Sequence, residues 1–81
     1  MSEEKTLAEK IGARLAKYIG ENNARVAMKT FVPRAVGVSP EKLTLPQVPA
    51  VLEAMLPMLR TLLGAQAAQK LIDDIKKEYQ S

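Results

Sequence analysis

The sequence predicts an all-α fold, a small four-helix domain built from two pseudo-repeated αα-hairpins joined by a Pro-containing linker. Three observations carry this expectation. Apolar residues recur at helical spacing along most of the 81 residues. Gly20, Gly37 and Gly64 stand where helical patterns should stop. Finally, Leu7–Val32 reads as an imperfect copy of Val51–Lys76. Identities fall at Glu9/Glu53, Leu15/Leu59, Gly20/Gly64 and Ala24/Ala68, and apolar character also matches at Leu7/Val51, Ala8/Leu52, Ile11/Met55, Ile19/Leu63, Ala27/Leu71, Met28/Ile72 and Phe31/Ile75. Neither copy can bury its apolar stripe alone, so the repeat predicts two hairpins docked on each other.

The expected elements span roughly 6–20, 23–36, 46–63 and 65–79, which places hairpin one at 6–37, the linker at 38–45 and hairpin two at 46–79. Ser2 or Thr6 can cap the first helix, and Thr6 with Glu9 has capping-box spacing. Ala8, Ile11, Leu15, Tyr18 and Ile19 follow at helical intervals, and Gly20 is the expected stop. Asn22 or Asn23 should cap the second helix, whose Ala24, Ala27, Met28, Phe31 and Ala35 share a face. Pro33 falls inside that pattern and should kink or end the helix near Val32.

In the linker, Ser39 followed by Pro40 suggests a single turn through Lys42, and Thr44 with Gln47 repeats the capping-box spacing. The third helix is the most apolar. Leu52, Leu56, Leu59 and Leu63 form one stripe, and Val51, Met55, Met58 and Leu62 form a second beside it. Pro57 should bend it, because the Glu53 carbonyl loses its partner. In the fourth helix Ala68, Leu71, Ile72, Ile75 and Tyr79 should face inward, with Lys70–Asp74 and Asp73–Lys77 paired outside.

Composition narrows the function classes. The chain has no Cys and no His, so a catalytic triad, a thiolate nucleophile and the commonest metal ligands are excluded. Asp74 and Glu78 share a helical face, but hard cations want more oxygen ligands than this stretch supplies. There is neither a GxGxxG nor a Walker motif. The expectation is therefore a non-enzymatic protein with no cofactor and no metal. Without a signal-type apolar stretch near Met1, a span long enough for a bilayer or a cysteine, the expected location is the cytoplasm.

Two kinds of partner remain. The second stripe of the third helix exceeds what one small core should use, and four apolar side chains left in water form a patch monomers rarely tolerate. That points to a protein-interaction module, a homodimer or a complex with another protein, with Val51, Met55, Met58 and Leu62 at the interface. The alternative is nucleic acid. Net charge is +3, and the segment from Lys10 to Arg34 carries six basic residues against Glu21 alone. Leu15, Ala16, Ile19, Gly20 and Val26 fit part of a helix-turn-helix spacing, which would set Arg25 and Lys29 on a recognition helix supported by Arg14 and Lys17. Glu21 after the turn glycine and Lys29 at a position normally aliphatic depart from that pattern.

Overall fold

The computed structural model describes residues 6–79. It contains α1 (Leu7–Ile19), α2 (Glu21–Val36), α3 (Val48–Leu63) and α4 (Ala65–Tyr79), with two 3-10 turns, Pro40–Lys42 and Leu45–Gln47, between α2 and α3. No strand occurs among the described residues. The all-α four-helix architecture is the one the repeat implies: α1 packs on α2, α3 packs on α4, and the two hairpins meet mainly through α2 and α3.

Local chemistry explains where most elements begin. At α1 the Thr6 hydroxyl accepts from Glu9 N–H, and the Glu9 carboxylate accepts from Thr6 N–H, so two otherwise orphaned donors are satisfied. Ser2, the other possible cap, lies outside the described residues. The same reciprocal box joins Thr44 and Gln47, and it opens the second 3-10 turn, which feeds directly into α3 at Val48. Pro40 takes the first position of its turn, as its fixed φ favours.

The hairpin turns differ from expectation. Each consists of one residue, which ends one helix and starts the next. Gly20 has φ 91° and ψ 155°, and Gly64 has φ 89° and ψ 160°. This is not the left-handed region where a glycine stop commonly sits but a region that is essentially glycine's alone. Their hydrogen bonds match too. Gly20 N–H donates to Ala16 C=O and Gly64 N–H to Arg60 C=O, while each glycine carbonyl accepts from the alanine four residues on. Consequently α2 starts at Glu21 and needs no asparagine cap; Asn23 instead donates from Nδ2 back to Ile19 C=O at 2.9 Å.

Neither interior proline ends its helix. α2 runs through Pro33 to Val36 and stops at Gly37, which sits in the left-handed region. Pro33 faces solvent, so water can serve the Lys29 carbonyl that loses its amide partner. α3 likewise continues past Pro57, and the Thr61 hydroxyl donates to the Pro57 carbonyl at 3.1 Å.

The core is wholly apolar among the described residues. Repeat-related positions share their environment: Ala8/Leu52, Ile11/Met55, Leu15/Leu59, Ala24/Ala68, Ala27/Leu71 and Met28/Ile72 are all buried. The linker contributes Leu43, a buried side chain that no periodicity marks. Tyr18, at helical spacing from the buried residues of α1, is nevertheless exposed, and so is Leu62, the residue at the equivalent place in the second hairpin. Both lie in the last turn of their helix. The ion pairs of α4 are also not the ones expected. Arg14 of α1 pairs with Glu78, and Glu53 of α3 with Lys76 at 3.8 Å, so α4 is clipped to two other helices. Asp73 accepts from Gln69 Nε2 within α4.

Candidate functional site

α3 disposes of its two stripes unequally. Leu52 and Leu59 are buried, and Leu56 and Leu63 half-buried. In the second stripe Val51 and Met55 are sealed in the chain's own core, at 1% and 0% exposure, while Met58 is half-buried and Leu62 is 52% exposed. α3 is thus the central helix over its first two turns and open only at its last. This corrects the expected four-residue seam: Val51 and Met55 cannot touch a second chain, and only Met58 and Leu62 remain to do so.

The basic residues do not assemble either. Arg14 is engaged with Glu78. Lys17 is exposed on α1 and does not line the groove that holds Arg25 and Lys29. Arg25 and Lys29 do lie together, on the rim of a groove that also carries Glu9, Glu21 and Glu41. Three carboxylates beside two cations make a poor bed for phosphate. Val26, which a helix-turn-helix would bury as its second-helix anchor, is 54% exposed. Moreover, a one-residue link replaces the three- or four-residue turn of that motif.

A groove of about 870 Å³ lies open between α1 and α2, with Pro40 and Glu41 of the first 3-10 turn also in its lining. Its floor is made of missing side chains. Ala8, Gly12 and Ala16 recur every fourth residue along α1, Ala13 lies beside them, and Ala24 and Met28 complete the floor from α2. A β-carbon on Gly12 would stand 3.6 Å from Met28 Cγ, an ordinary contact. Packing inside this chain therefore does not require glycine there, although glycine costs a helix interior ~1 kcal/mol relative to alanine.

The helical spacing of the large apolar residues does not mark this groove. The signal was present as the small residues Ala8, Gly12 and Ala16 at i, i+4 and i+8. Small residues at that interval let two helices approach closely; here they also leave a trough beside the approach. No helix among the described residues is long and apolar enough to cross a membrane. No protein family, curated protein or solved structure matches this chain, so the groove and the open end of α3 stand on their geometry alone.

Proposed function

We propose that this chain is a non-enzymatic helical protein-interaction module that receives a helix of another polypeptide in the α1/α2 groove. The observation that supports the reading is the floor: three small residues of α1, Ala8, Gly12 and Ala16, one of them a glycine the chain's own packing does not need, line an open trough between α1 and α2. Helix-in-groove recognition uses such a trough, with apolar contact along the floor and charged residues at the rim. The open end of α3 is a poorer candidate. Two partly covered side chains, Met58 and Leu62, fall far short of the roughly 800 Å² per partner that a standard interface buries.

A photo-reactive benzophenone residue at Ala13, which is exposed and lines the groove, tests the reading against the same residue at Lys77, which is exposed on α4 and does not line it. Irradiation of the purified protein, alone and added to cell extract, should give protein adducts from position 13 and none of comparable yield from position 77. Equal labelling from both positions, or none from position 13, removes the groove from consideration.

A further inference from the structure

The charged residues of the groove follow an order along it, and that order describes the helix it accepts. Gly12 and Met28 are equally far from Gly20 along the chain and meet across the hairpin, so residues equidistant from Gly20 stand about level on α1 and α2. Glu21 therefore marks the turn end. Arg25 and Lys29 come next, about level with Leu15 and Ile11, and four residues of helix set them ~6 Å apart along the axis. Glu9 lies beyond the level of Lys29, and Glu41 joins the lining from the 3-10 turn that follows α2. From the Gly20 end outward the groove thus reads acid, base, base, acid.

None of these charges is neutralised within the described chain. All five residues are exposed, and the ion pairs among the described residues, Arg14–Glu78 and Glu53–Lys76, involve other side chains. Even Glu21 and Arg25, at the i,i+4 spacing that favours pairing on a helix, hold no ion-pair contact. Glu9 accepts from Thr6 N–H through Oε1, which leaves its second oxygen to a partner.

Resting on the reading of the groove as a helix-binding face, we infer that its occupant is an amphipathic helix of a different protein, with two carboxylates one turn apart at its middle and a Lys or Arg one turn beyond each. The carboxylates meet Arg25 and Lys29, and the end cations meet Glu21 on one side and Glu9 with Glu41 on the other. A uniformly acidic helix would set like charge against three carboxylates, and a uniformly basic one against Arg25 and Lys29. Beneath the charges, the short side chains of Ala8, Gly12 and Ala16 leave room for large apolar residues along the contact stripe of the occupant. The charge pairs lie at the rim, where water and salt screen them, so they decide which helix binds more than how tightly.

Two hydrocarbon-stapled peptides of the same composition, each with the same leucine stripe, isolate the charge order. One carries Lys, Glu, Glu, Lys at successive turns beside the stripe, and the other carries Glu, Lys, Lys, Glu. Fluorescence anisotropy measures the binding of each to the full chain at low and high salt. The first peptide should bind at least about tenfold more tightly than the second, and the difference should shrink at high salt. Arg25→Glu with Lys29→Glu, shown to be folded by circular dichroism, should weaken the first peptide by at least about tenfold. Equal binding of the two peptides, a preference for the second, or a charge-reversed chain that binds the first as well as the wild type does overturns the proposal. So does a failure of either peptide to bind, and the benzophenone at position 13 then separates the two levels: adducts there keep the groove as a helix site for a partner of other chemistry, and their absence removes the groove as well. A reversible dimer of the wild type that the first peptide dissociates in sedimentation velocity would make the occupant a second copy and likewise overturn the proposal. Should the double variant fail to fold, Lys29→Glu alone, at an exposed position, gives the same comparison.

Discussion

Replacing Gly20 and Gly64 by alanine should cost the same stability at each place, and the structure says how much. Both residues hold φ near +90° with ψ near 155–160°. An L-residue held in that region carries ~1–3 kcal/mol of strain. Nothing lies within 4 Å of a β-carbon built on either glycine, so no collision adds to the backbone cost and no neighbour relaxes it. We therefore expect ~2 kcal/mol for Gly20→Ala, a similar loss for Gly64→Ala, and ~4 kcal/mol for the pair, since the two sites share no contact. For a domain of this size, total stability is roughly 4–12 kcal/mol, so the double variant approaches unfolding. Each single change should lower the thermal midpoint by about 8–16 °C, at ~4–8 °C per kcal/mol. Urea denaturation followed by circular dichroism measures the free energies. D-alanine at the same positions, introduced by chemical synthesis, is the decisive control: its mirror-image preferences accept positive φ, so it should restore most of the loss. Single variants that differ by more than ~1 kcal/mol, or D-alanine as damaging as L-alanine, would refute the argument that the repeat is realised as two equivalent one-residue turns.

Other consequences are simpler to state. Leu15 and Leu59, equivalent and both at 0% exposure, should each lose ~2–5 kcal/mol on truncation to alanine; an unmoved urea midpoint for either would remove it from the shared core. Thr6→Ala should cost ~1 kcal/mol by breaking the reciprocal box with Glu9, and hydrogen exchange should localise the loss to the first turn of α1. Arg14→Ala should cost well under 1 kcal/mol, because the pair with Glu78 is about two-fifths exposed on both sides, and that small effect should shrink further in high salt. Met58→Lys should leave the adducts from position 13 unchanged, since the residue lies outside the groove; their loss in that variant would return the interface to α3.

Much of the architecture is decided by local chemistry and was therefore legible without coordinates. The capping boxes at Thr6 and Thr44, the turn at Pro40 and the burial of Leu15, Leu59, Ala24 and Ala68 follow from residue spacing, because hydrogen bonds and apolar faces within a helix repeat with its period. The 44-residue offset identified the two hairpins for the same reason, since equivalent positions meet equivalent surroundings. What periodicity cannot express is which neighbour covers a given turn. Val51, Met55, Met58 and Leu62 are chemically alike and lie on one stripe, yet the first two are core and the last is in water, because the rest of the bundle covers the first turns of α3 and stops short of its end. Leu43 is buried for a tertiary reason alone, since it belongs to no helix. The groove is tertiary as well. Gly12, Ala13 and Ala16 look like the polar side of an amphipathic helix until α2 lies beside them, and only then does the absence of side chains become a shape. The sequence by itself thus determined the helices and their pairing into hairpins, whereas the open surface depended on how far one helix extends past the next.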